Sequence, residues 1–161
     1  MVITKIISVN TWKHPEFNDT FTVSMFDEEI QHEGTERKLS GLFNETNENV
    51  KYLAGITLAN HVKAQPDVKK AAQDVDILVW VLLCQFVPRT VQNMGPLKES
   101  NVSMSLIKGG LKFEGGKLRL CLDLLRKLLG REVGVFMGAN VANEVARVSC
   151  TEISSYETFR C

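Results

Sequence analysis

Residues 1–161 carry 19 basic and 19 acidic side chains, a formal net charge of zero, with 44% hydrophobic and 24% charged residues. That length suits one ordinary domain, and the composition excludes a disordered, collagen-like or repeat-array protein. Balanced charge predicts no broad attraction to nucleic acid or to an anionic membrane surface.

Phe21 to Phe26 (FTVSMF) is β-branched and aromatic and predicts a strand, with an acidic turn at Asp27-Glu28-Glu29 behind it. From Arg37 to Glu45, Leu39, Leu42 and Phe43 recur at i, i+3 and i+4, which predicts a helix face. His61 to Gln65 alternates as a short edge strand does. Pro66 then opens a helix, with Asp67 favourable to its dipole. Ile77 to Cys84 is the longest apolar run, far short of the about 20 residues that a bilayer-spanning helix needs. It predicts a strand buried under helices on both faces.

Phe86 to Met94 predicts a short helix, and Val102 to Ile107 a strand ending at Lys108-Gly109-Gly110. The strongest helical pattern runs from Lys117 to Leu129, with Leu118, Cys121, Leu122, Leu125, Leu128 and Leu129 on one face and Gly130 as cap. Glu132 to Met137 predicts the last strand, and Gly138-Ala139-Asn140 leads into a final helix. Strands separated by helical segments need crossover connections, so the expected fold is α/β, a doubly wound parallel sheet.

The four cysteines, at 84, 121, 150 and 161, show no CxxC or Cys/His spacing. Neither a metal site nor a disulfide framework is expected. Cys84 and Cys121 then read as small core hydrophobes in a reducing cytoplasm. Lys5, Lys13 and His14 interrupt the opening apolar stretch, so no secretory signal is expected. His14, His32 and His61 have no partner pattern and receive no role, and Trp12 and Trp80 read as packing residues.

In doubly wound sheets ligands bind beyond the carboxyl ends of the strands. Those ends carry Phe26 and Asp27, Cys84-Gln85-Phe86, Lys108-Gly109-Gly110 and Gly138-Ala139-Asn140. An aromatic, an acid, a lysine and a helix N-terminus together suit a nucleotide. The alternative is two core phenylalanines and a solvated lysine, because a fold alone does not fix a function. Asp27 and Glu28 either accept from a ribose hydroxyl or form a solvated acidic turn.

Four segments carry a resemblance: NENVKYLAG (47–55), DVDILVWVLLCQF (74–86), SLIKG (105–109) and MGANVANEVA (137–146). They resemble HENVKYLPG, DADILIFVVPHQF, SLIKG and MGANIANEVA of cytosolic NAD-dependent glycerol-3-phosphate dehydrogenases, in the same order and spacing. The resemblance runs from Ile3 to Cys150. It implies a Rossmann-like domain over residues 1–150, incomplete, with 151–161 as a divergent C-terminal tail. The family opens with a strand, a glycine-rich turn reading GSGNWGSA and a helix reading IAKI. Setting Ile3-Thr4-Lys5-Ile6 against that helix places the first central strand and the whole GxGxxG turn before Met1. A rival alignment sets Ile6 to Trp12 (IISVNTW) against IVGSGNW, and strand propensity over Val2 to Val9 sides with it. On either alignment the glycine turn that would close on a pyrophosphate is missing.

By resemblance the cofactor is NAD, and the partners are glycerol 3-phosphate or dihydroxyacetone phosphate, a homodimer, and neither nucleic acid nor membrane. Phe26 matches a phenylalanine near the adenosine half, Phe86 the phenylalanine of HQF, and Ala142 a small residue permitting close approach to the cofactor. Lys108 matches the SLIKG lysine that faces the substrate's phosphate end, where an ammonium is a suitable point charge. Leu83 and Cys84 stand where the family has Pro-His. Asn140 reads as a helix N-cap. No catalytic residue is assigned, because the family's catalytic lysine belongs to a helical domain beyond Cys161. The readings are a cytoplasmic NAD-binding portion of that dehydrogenase, inactive alone, or a degenerate non-catalytic relative serving as a binding module.

Overall fold

The computed structural model describes residues 2–11, 21–107, 111–114 and 116–136. The chain divides into two compact units, one reaching to Ala71 and the other starting at Ala72.

The first unit opens with helix α1, Val2–Thr11. The β-branched run at Val2 to Val9 is therefore helical, and the strand reading of that segment is corrected. Strand β1, Phe21–Ser24, pairs in parallel with β4, Val62–Gln65, in the register Val23↔Ala64. Between them, β2, Glu29–His32, and β3, Thr35–Lys38, form an antiparallel hairpin. The acidic turn expected at residues 27–29 thus runs straight into a strand. Its polar residues hide it from a hydrophobic pattern, and the signal is Glu33-Gly34, both with positive φ, a hairpin turn of the primed type.

Helix α2, Leu39–Thr46, buries Leu39, Leu42 and Phe43, the three residues that define its apolar face in the sequence. It stops at Asn47, whose left-handed backbone lets its N–H reach the Phe43 carbonyl. Phe43, Leu58, Val62 and Ala64 form the unit's core, with Phe21, Val23, Met25 and Ala59 packed against it. Asn44 closes the far side of β4. Its side-chain amide donates to the Ala64 carbonyl at 3.1 Å and accepts from the Ala64 N–H at 2.8 Å, so a side chain occupies the place of another strand. Helix α3, Val68–Ala72, follows Pro66 as expected, with the Asp67 carboxylate accepting from the Lys69 N–H at 2.9 Å.

The second unit holds a parallel sheet in the order β5-β6-β9, built from Ile77–Trp80, Val102–Ser105 and Val133–Val135. The parallel expectation holds in both units. Coverage of β5 on both faces does not, since Ile77 is exposed beside an equally exposed Val102. The strand is also shorter than the apolar run, which leaves Val81 and Leu83 exposed beyond it. A 3-10 turn, Cys84–Phe86, leads into α4, Val87–Met94.

The helix expected from Lys117 is also shorter. β7, Leu111–Glu114, and β8, Lys117–Leu120, form a hairpin around Gly116 at φ 76°, and α5 is Cys121–Leu129. Lys117-Leu118-Arg119-Leu120 alternates with period two, so strand geometry competes with the helical reading and wins. Leu118 and Leu120 are exposed as a result. Gly130 caps α5 in the left-handed conformation, as expected. The final helix expected after Gly138 lies outside the described residues. Among the described residues β1 pairs with β4 alone and β5 with β6 alone.

Candidate functional site

Both aromatic candidates follow a parallel strand, and each sits in its own unit. Phe26, two residues beyond β1, is 85% exposed. It is no core aromatic, and that alternative is corrected. The acids beside it are engaged. The Asp27 carboxylate accepts from the Ser40 N–H at 3.2 Å, in the first turn of α2, and has Lys38 within 3.9 Å. Glu28 accepts from the Lys51 ammonium at 2.6 Å, and its carbonyl accepts from the Leu39 N–H at 2.9 Å. The Lys51 hydrogen bond, with one from Tyr52, holds the Glu28 carboxyl below the usual carboxylate range. The same bond to Glu28, then that to Tyr52, raises Lys51. The ammonium also stands 5.1 Å from the Tyr52 ring centre. So this is not a solvated turn of free carboxylates, because both acids are hydrogen-bonded within the unit. It is the joint that fastens α2 and the NVKY segment to the end of β1.

The second unit presents a cleaner strand-end edge. Trp80, Ser105 and Val135 are in register at the carboxyl ends of β5, β6 and β9. The ladder continues outward, with the Leu106 N–H on the Trp80 carbonyl at 2.9 Å and the Phe136 N–H on the Ser105 carbonyl at 2.8 Å. Trp80 is buried, the packing role its sequence suggests. Beyond β5 the chain turns sharply, the Phe86 N–H bonding the Leu83 carbonyl at 2.9 Å and the Thr90 hydroxyl bonding the Phe86 carbonyl at 2.9 Å. The turn's backbone is thereby fixed, while the Phe86 ring remains 49% exposed beside exposed Val81 and Leu83. The core alternative fails for Phe86 too.

Cys84, in that turn, is joined by a disulfide to Cys121, the first residue of α5. This corrects the view of both residues as plain core hydrophobes. Their spacing of 37 gives no sequence signal, and only the packing of α5 beside the turn reveals the pair. Lys108, Ala142 and Asn140 lie outside the described residues. Asn101 is a further polar fixture that hydropathy misses: it is buried, donates to the Val75 carbonyl at 3.0 Å and accepts from the Ser103 hydroxyl at 3.0 Å. It joins the approach to β5 to the start of β6. Among the described residues, no three His, Cys, Asp or Glu side chains are grouped to hold a metal ion, and no helix is long and apolar enough to cross a membrane.

The family model for the N-terminus of NAD-dependent glycerol-3-phosphate dehydrogenase matches residues 7–158. The chain is 43% identical over 147 residues to glycerol-3-phosphate dehydrogenase [NAD(+)] 2 of Schizosaccharomyces pombe, covering 90% of this chain and 39% of that protein. It is 39% identical over 158 residues to the cytoplasmic enzyme of Drosophila ezoana, covering 93% of this chain and 44% of the relative. Among solved structures, a glycerol-3-phosphate dehydrogenase of Saccharomyces cerevisiae aligns with TM-score 0.80 at 34% identity, over 91% of this chain and 40% of that one. The chain therefore spans about two fifths of the relatives it matches. The match over residues 7–158 places this chain in the family of NAD-dependent glycerol-3-phosphate dehydrogenase N-terminal domains.

Proposed function

We propose that this chain is the cofactor-binding portion of a glycerol-3-phosphate dehydrogenase, with NAD held at the carboxyl edge of the β5-β6-β9 sheet. One observation carries the reading. Phe86 is kept half exposed on a hydrogen-bonded turn directly beyond β5, the place where parallel α/β sheets take ligands. A fixed, open aromatic face suits a planar ring of the cofactor. The family resemblance assigns Phe26 to the adenosine half, Ala142 to the close approach, and Lys108 to the phosphate of glycerol 3-phosphate or dihydroxyacetone phosphate. Residues 1–150 form this domain and 151–161 a tail. A cytoplasmic setting is supported by the names of relatives, and the homodimer is carried over from the resemblance alone.

The described residues fit the ring-facing parts of NAD. They offer no glycine turn for its pyrophosphate, and residues 1–161 contain no GxGxxG. When bound, NAD supplies the hydride chemistry; this chain's part is to seat and orient it. With no catalytic residue assigned, the chain alone is expected to bind without turning substrate over.

A second reading, a non-catalytic binding relative, is favoured by the Leu83-Cys84 pair. Cys84 stands where the family has a histidine, and it is bonded to Cys121. Thermal unfolding with and without millimolar NADH separates the readings. Ligand at 100 times its Kd adds about 2.7 kcal/mol, a shift of about 2–8 °C. That shift is the expected result. A cooperative transition unmoved by NADH would sink the first reading and support the second.

A further inference from the structure

The Cys84–Cys121 bond joins two elements of the second unit. Cys84 opens the 3-10 turn that ends in Phe86, and Cys121 opens α5. Their Cα atoms are 5.8 Å apart, a separation at which a disulfide forms without moving the backbone. The two residues differ in access: Cys84 is half-buried, whereas Cys121 is 3% exposed. Once reduced, Cys121 sits at a helix start whose preceding residue, Leu120, provides no side-chain cap. The first N–H groups of a helix have no intrahelical partner, and a cysteine at such a position is favoured as thiolate. One reachable cysteine backed by one shielded, activated cysteine is an arrangement suited to thiol–disulfide exchange from a single side.

We propose that Cys84 and Cys121 are a reversible dithiol–disulfide couple that exchanges with a low-molecular-weight disulfide of the glutathione class, and that closing it locks the Phe86 turn onto α5. The Cys84 thiolate attacks one sulfur of the small disulfide, giving a mixed disulfide on Cys84 and one small thiolate. The Cys121 thiolate then attacks the Cys84 sulfur, forming the internal bond and expelling the second small thiolate. Two protein thiols lose two electrons and two protons in all, and the small disulfide gains both to become two thiols. Excess small thiol runs the steps backwards. In a reducing compartment such bonds are transient and sense redox state. The effect on cofactor affinity rests on the reading of Phe86 proposed above; the couple does not.

The test uses the full chain with Cys150→Ser and Cys161→Ser, alongside the unaltered chain, equilibrated across ratios of oxidised to reduced glutathione. Samples are quenched, alkylated and peptide-mapped. The expected product is an 84–121 crosslink formed with loss of both thiols together. Cys121→Ser is expected to accumulate glutathione on Cys84, and Cys84→Ser to leave Cys121 at least about tenfold slower to react, because it is shielded. Both thiols staying free at every ratio, or glutathione persisting on Cys84 beside an intact Cys121, overturns the couple. Hydrogen exchange of the two forms of the unaltered chain tests the lock, with amides of residues 84–86 expected to exchange about tenfold more slowly when oxidised. Equal rates overturn it. NADH titrated into each form is expected to show a different Kd. A crosslink with slowed exchange but no NADH binding in either form overturns the cofactor reading and leaves the couple standing.

Discussion

The stretch after β1 and the stretch after β5 look alike in sequence, an apolar strand followed by a phenylalanine, yet they are held in different ways. After β1 the supports are charged side chains that reach 13 and 23 residues along the chain: Asp27 holds the start of α2, Glu28 holds Lys51, and Phe26 projects without packing. After β5 they are backbone hydrogen bonds and a covalent link, and Phe86 is half covered. Position after a strand therefore does not fix how the following turn is held: one is fastened through carboxylates, the other through its own backbone and a covalent link.

Changes to the first unit sharpen that contrast. Phe43→Ala removes a fully buried ring beneath α2, and a loss of about 3–5 kcal/mol is expected from a urea melt. A loss under about 1 kcal/mol would mean that α2 does not anchor the stretch after β1. Asn44→Ala leaves the Ala64 backbone groups unpaired, for an expected cost of about 1–3 kcal/mol. It is also expected to promote self-association through the uncovered edge of β4, visible by light scattering. Asp27→Ala removes an acceptor for the first turn of α2 and is expected to cost about 1 kcal/mol. Phe26→Ala, at an exposed site, is expected to stay within about 0.5 kcal/mol. If Phe26→Ala cost more than Asp27→Ala, the aromatic ring and not the carboxylate would be holding the stretch after β1.

The smallest effect is the pH dependence of the Glu28–Lys51 pair. Glu28 is held below its ordinary value, so its contribution is present above the unfolded carboxylate range and is lost as pH falls through the folded value. Lys51 is raised, so its contribution is present below about 10.4 and is lost as pH climbs through the folded value. Denaturant midpoints for the unaltered chain and Lys51→Met are expected to converge at both pH extremes. A gap unchanged from pH 3 to 11, roughly the range spanned by the two groups, would show that the pair contributes nothing.

The elements most legible in the sequence are those whose apolar residues repeat with one clear period. Leu39, Leu42 and Phe43 define α2, Gly130 ends α5, and FTVS, VKAQ, ILVW, VSMS and VGV appear as strands. The polar hairpin β2–β3 escapes because Glu29 to Lys38 has no buried face to betray it. The segment Lys117 to Leu120 fits two periods at once, and a four-residue window cannot choose between them. At Val2 to Thr11 β-branched propensity points to a strand, yet the segment is helical, as the IAKI alignment implies.

Of the candidate site, the sequence alone determined the family, the parallel α/β class and the position of Phe26 and Phe86 after their strands, because motif order and hydrophobic period are properties of the chain's linear text. Only the tertiary structure decided that Asp27 and Glu28 are engaged, that both phenylalanines are exposed, that Asn44 closes β4 and that Cys84 meets Cys121. These are contacts between residues 13 to 37 positions apart. Which of many possible partners a polar or sulfur group meets depends on how the elements pack, since burial rewards apolar area without regard to sequence distance.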